Sequence, residues 1–130
     1  MAVIGIGTTS RATVEDVLSV ISAAKEKCAV VNSAHEMRQI TALAGLDRAA
    51  LNAVLAEAAQ TTKLELILLG LDDLRAAAHL CVTSSQKSIQ QYGIPSIAEA
   101  AALSGAGDGA KLLLPRICGR RTTASVAIAP

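Results

Sequence analysis

The sequence predicts an α/β fold: a single domain over residues 1–130, with a mixed sheet of about five strands, flanking helices and a C-terminal β-hairpin. Three observations carry this prediction. An apolar run at residues 2–7 gives way at Thr13 to helical spacing. Compact apolar runs of strand length recur between helical stretches, and the last residues alternate with a period of two, the side-chain repeat of a strand. A chain of 130 residues is one ordinary domain, and 52% hydrophobic with 18% charged residues is enough to bury a core.

Residues 2–7 (Ala-Val-Ile-Gly-Ile-Gly) read as a buried strand that stops at the loop residues Thr8, Thr9, Ser10 and Arg11. Val14, Val17, Leu18, Ile21 and Cys28 then share one helical face, and Thr13 with Asp16 has the form of a capping box. After the polar residues 32–38, a weaker apolar stretch at 39–43 is read as the second strand. Asp47 opens a helical pattern with Leu51, Val54, Leu55 and Ala58 on one face. Residues 63–69, ended by Gly70, are the third strand, too short for a typical helix. Three short helices follow at 72–78, 85–92 and 96–103, with Gly93, Ile94 and Pro95 dividing the last two. Residues 104–109 (Ser-Gly-Ala-Gly-Asp-Gly) read as a glycine-rich loop. Pro115 lies inside the apolar run 111–117 and removes a ladder donor, so this strand sits at an edge or bulges. Gly119, Arg120 and Arg121 turn the chain into 122–129, where Thr123, Ser125 and Ala127 alternate with Ala124, Val126 and Ile128.

Composition removes several function classes. Tyr92 is the single aromatic residue, which excludes base-stacking platforms and membrane aromatic belts. A net charge of +1 with interspersed signs leaves no footprint for nucleic acid or an anionic membrane. The longest apolar run, around 64–71, is broken by Glu65 and Gly70 and falls short of the ~20 residues that span a bilayer. The N-terminus has no basic segment ahead of its apolar stretch, so a soluble, cytoplasmic protein is expected. Cys28, Cys81 and Cys118 form no CxxC pair and read as buried thiols, while His35 and His79 stand alone. Neither a metal site, a resident cofactor nor a catalytic triad is therefore expected.

Any anion must be held locally, and three segments are candidates. Gly5-Ile-Gly7-Thr8-Thr9-Ser10 begins like a dinucleotide fingerprint but has Ser10 at the third glycine position and no Walker lysine. Gly5, Gly7 and Thr8 either let backbone N–H groups approach an anion beside Arg11, or Gly5 and Gly7 serve strand packing. Ser96 and Glu99 have capping-box spacing, with Glu99 reaching back; the helix start is either purely structural or also a carboxylate receptor. Arg116, Arg120 and Arg121 either grip carboxylates with their planar forks or form a solvated basic turn.

Particular residues carry a resemblance further. Val3-Ile-Gly-Ile-Gly7 with Arg11, Gly93-Ile-Pro-Ser-Ile-Ala-Glu-Ala-Ala-Ala-Leu103, Leu112-Leu-Leu-Pro-Arg116 and Ala124-Ser-Val-Ala-Ile-Ala129 resemble the CobE family, which shares its domain with the C-terminal part of CbiG. The resemblance runs from the first strand to the last; in the middle of the chain it rests on residues 43–48. It departs at Thr8, where members often carry cysteine, and at Arg116, where lysine is common. It implies cobalamin biosynthesis and, because the chain is more similar to stand-alone CobE than to two-part CbiG, a protein that binds a precorrin or corrin tetrapyrrole as a carrier or accessory. Other enzymes of the pathway are possible partners. Two alternatives stay open: a cobalt-precorrin lactone hydrolase, and a small interaction module. Corrin precursors are rings hung with acetate and propionate groups, so the implied site consists of dispersed donors: Gly5, Gly7, Thr8, Arg11, Ser96, Glu99, Arg116, Arg120 and Arg121.

Overall fold

The computed structural model describes residues 1–130, the side chain of Arg38 excepted. Strand β1 (Ala2–Thr8) is followed by helices α1 (Val14–Val31) and α2 (Ala34–Arg38), and β2 (Ile40–Leu46) by α3 (Ala49–Thr62) and β3 (Glu65–Leu69). Helices α4 (Leu71–Ala77), α5 (Gln86–Tyr92) and α6 (Ile97–Ala106) then precede β4 (Lys111–Gly119) and β5 (Thr122–Ile128). The five strands form one mixed sheet in the order β3-β2-β1-β5-β4, with β1, β2 and β3 parallel and β5 antiparallel to both its neighbours.

The alternation of β1 sorts its side chains to two layers. Ile4 and Ile6 face α1 and α3, where Val17, Val20, Ile21, Leu43, Leu55 and Val126 complete a buried core. Val3 belongs to the opposite core, with Ala42, Ala44, Leu74, Ala100, Ala101, Ala102 and Leu103. Helix α6 lies against this second face so closely that a Cβ on Gly5 would fall on the Ala98 carbonyl and the Ala102 amide. Gly105 serves the same approach one turn further on, where a Cβ would stand 3.0 Å from Ala44 Cβ and 3.1 Å from Val3 Cγ1. Small residues on both surfaces let helix and sheet backbones come together, and bulkier ones would hold them apart.

Several expectations change. The capping box at Thr13 and Asp16 forms, with the Asp16 amide donating to Thr13 Oγ1 and the Thr13 amide to Asp16 Oδ2, each at 3.1 Å. The polar residues 32–38 contain a short helix, α2, capped by Ser33, whose hydroxyl accepts from the Glu36 amide. Lys63 caps the end of α3 in the left-handed region (φ 59°), so β3 starts only at Glu65. The glycine-rich segment is helical through Ala106, because Gly105, within α6, packs against Val3 and Ala44 of the sheet instead of breaking the helix. Pro115 does both things its chemistry allows: β4 is an edge strand, and its register shifts between Leu114 and Ile117. No helix is long and apolar enough to cross a membrane among the described residues.

Candidate functional site

Beyond the carboxyl ends of β1 and β2 lies an open cleft of about 480 Å³. In open α/β sheets ligands settle beyond the carboxyl ends of the parallel strands. One wall is α5 with its lead-in, contributing Ser85, Lys87, Ser88, Gln91 and Tyr92; the other is the β4–β5 hairpin, contributing Arg116, Cys118, Arg121 and Thr123. Gly7, Thr8, Thr9, Ser10 and Arg48 also line it, together with Ser96 and Ile97 at the start of α6, which lies directly against Gly7.

Charge distinguishes this cleft from the rest of the surface. Its lining carries the four cations Arg48, Lys87, Arg116 and Arg121 and no carboxylate, although the whole chain is nearly neutral. Arg121 is partly committed, with its guanidinium 3.9 Å from Asp16. Arg48, Lys87 and Arg116 have no acidic partner among the described residues. Hydroxyls of Thr8, Thr9, Ser10, Ser85, Ser88, Ser96, Thr122 and Thr123 add neutral polar groups. Such a lining suits a ligand with several dispersed negative groups.

Of the residues singled out from sequence, Gly7, Thr8, Ser96, Arg116 and Arg121 converge on the cleft. Gly5 is buried within β1 beneath α6, so it serves strand packing and its amide takes part in the sheet instead of meeting an anion. Arg11 and Arg120 are exposed and do not line the cleft. Glu99 is fully buried and does not reach back to Ser96; no reciprocal box forms. Ser96 still caps α6, its hydroxyl accepting from the Glu99 amide at 3.2 Å. Sequence reasoning missed Arg48 and Lys87, which stand apart from the hairpin in the chain; the only available signal was their position at helix starts next to predicted strand or loop ends.

The thiols also differ from expectation. Cys28 is buried, but Cys81 is half-buried and Cys118 is exposed on the cleft wall. Burial pushes the Cys28 and Cys81 thiols up, and the nearby Glu99 carboxylate adds to the rise at Cys81. No three His, Cys, Asp or Glu side chains gather to hold a metal ion among the described residues.

Comparison with known proteins places the chain in a family. The profile of a family described as cobalamin synthesis G C-terminus matches residues 2–129. The crystal structure of cobalamin biosynthesis protein chiG from Agrobacterium tumefaciens is 33% identical, with a TM-score of 0.75 over 99% of this chain and 98% of that one. CobE, a protein from the cobalamin (vitamin B12) biosynthetic pathway, shares the fold at 23% identity and a TM-score of 0.83, over 98% of this chain and 89% of that one. A cobalamin biosynthesis protein G homologue from Sulfolobus solfataricus is 20% identical with a TM-score of 0.63; the match covers 97% of this chain but 36% of that longer one. No curated protein sequence matches. With the family profile matched almost from end to end and a relative one-third identical over nearly its whole length, this chain belongs to the cobalamin synthesis G C-terminus family and is a cobalamin biosynthesis protein.

Proposed function

We propose that the protein binds a precorrin or corrin acid of this pathway in the cleft, in a carrier or accessory role. One observation carries the reading: a cleft lined by four cations and many hydroxyls, without a carboxylate, at the ligand-binding end of the sheet. A corrin precursor brings several carboxylates on a broad ring, and the open cleft receives one edge of it. Gly7 and Thr8, Ser96, and Arg116 and Arg121 are the proposed contacts, joined by Arg48 and Lys87. Lactone hydrolysis asks in addition for a nucleophile beside a base. The lining offers hydroxyls and the Cys118 thiol, with neither histidine nor carboxylate among them, which favours binding over turnover.

Titration with cobyrinic acid, followed by visible absorbance, tests the proposal. Saturable spectral change is expected, weakening as salt is added because the contacts are ionic. Arg116→Ala should weaken binding by about 1.5–3 kcal/mol, the range for a charged hydrogen bond, whereas Arg120→Ala should leave it unchanged. Equal losses in both variants, or no binding by the unaltered protein, would refute the assignment. Assay of a purified cobalt-precorrin lactone with the same protein separates binding from hydrolysis.

A further inference from the structure

We infer that Glu99 is the positioning residue of the cleft, joining its two walls through a buried carboxylate that makes no contact with the ligand. The inference rests on the anion-binding reading above. Glu99 is 0% exposed in the first turn of α6, amid Ala98, Ala100, Ala101 and Ala102. A buried carboxylate is costly unless its oxygens are well bonded, and no cation pairs with this one among the described residues. Four neutral donors hold it instead. Oε1 accepts from the amides of Val82 (2.8 Å) and Thr83 (3.0 Å), and Oε2 from the Thr83 hydroxyl and the Arg116 amide (both 2.9 Å).

Those donors belong to opposite sides of the cleft. Val82 and Thr83 lead into α5, which carries Lys87, Ser88 and Tyr92 on one wall, while Arg116 is part of the other. The register shift between Leu114 and Ile117 takes the Arg116 N–H out of the strand ladder, so it needs a partner elsewhere, and Glu99 is that partner. The other ties of the α5 wall, from the Ser85 amide to the Pro95 carbonyl and from the Ser88 hydroxyl to the Ile94 carbonyl, end in the connection to α6 and do not reach β4. Glu99 thus sets the distance across which a polycarboxylate must reach, and a small anion held by one wall does not depend on it.

The test uses the full chain with Thr83→Val, which removes one of the four bonds and keeps the carboxylate, and Glu99→Gln, which turns an NH₂ donor toward donors. Amide exchange at Thr83 and Arg116 should accelerate roughly tenfold in Thr83→Val, as for the loss of one buried hydrogen bond to a charged acceptor, and further in Glu99→Gln. Cobyrinic acid, which spans both walls, should bind at least about fivefold more weakly, while inorganic phosphate, followed by amide NMR shifts, changes by less than about twofold. Leu43→Ala, a destabilised control in the core on the sheet face away from α6 and outside the cleft lining, should lower the melting temperature without altering either exchange at these amides or the ratio of the two affinities. Unchanged exchange at Thr83 and Arg116, or an equal loss of affinity for both probes, overturns the inference. If the unaltered protein binds neither probe, the anion-cleft reading falls and the inference falls with it, whereas normal binding with unchanged exchange overturns the role of Glu99 alone.

Discussion

Ser96 lies where stability and ligand contact meet. Its hydroxyl accepts the Glu99 amide and so satisfies one of the free N–H groups at the start of α6, yet the same residue lines the cleft. Ser96→Ala should therefore cost about 1 kcal/mol of stability in denaturant unfolding with no ligand present. A loss below a few tenths would show that the cap is dispensable. The neighbouring Glu99 shows how far a residue pattern can be read. Ser-x-x-Glu before an apolar helix has the same appearance whether the carboxylate reaches back to the cap or turns to other segments. Here its partners lie 16 or 17 residues away, and three of its four bonds come from backbone amides, which leave no mark in the choice of side chain.

The contact between β1 and α6 has a different character, since it is made by what is missing. Val3, Gly5 and Gly7 alternate with Ile4 and Ile6, so the strand presents bulk to α1 and α3 and very little to α6. The alanines of α6 complement that flat surface. Gly5→Ala should destabilise the protein by about 3 kcal/mol or more, because the two nearest atoms in the way are backbone, with Ala102 Cβ just beyond, and the helix must move as a body. Thermal unfolding of this variant measures the cost, and a change within about 0.5 kcal/mol would contradict the packing described. Gly-x-Gly at the end of an apolar strand thus has two origins that look alike in one dimension. Absence of the third glycine and of a Walker lysine sets the sequence apart from the nucleotide-binding fingerprints, but only the position of α6 distinguishes Gly5, buried under the helix backbone, from Gly7, also buried but at the edge of the cleft.

Across the whole molecule, the two raised thiols link stability to alkaline pH. Cys28 is held up mainly by burial, with the Asn32 hydrogen bond opposing and the Glu36 charge adding to it; Cys81 is held up mainly by burial, then by the Glu99 charge, with a hydrogen bond to the Ser96 backbone opposing. Unfolding returns both toward the ordinary value of 9.0, so the folded chain keeps protons that the unfolded chain gives up. Their contribution is fully present below that value and is lost as pH rises through the raised values. Denaturant midpoints recorded from about pH 8 to about pH 10.5 should fall, and a Cys28→Ala/Cys81→Ala variant should show a shallower decline than the unaltered protein. Equal slopes would mean that other groups govern the alkaline limb.

Local periodicity and end signals were sufficient for the α/β class, the number of strands, the capping box at Thr13, the irregularity at Pro115 and the closing hairpin, because each depends on residues within a few positions of one another. Specific stretches such as residues 93–103 were sufficient for the family. The boundary of α2, the helical half of the glycine-rich segment and the roles of Gly5, Arg48, Lys87 and Glu99 were set by contacts between distant parts of the chain. A cleft is a relation among segments that the sheet order β3-β2-β1-β5-β4 brings together, and its charge belongs to that meeting place. A chain of net charge +1 can therefore hold a wholly cationic pocket, because folding sorts like charges by position in space and not by position along the backbone.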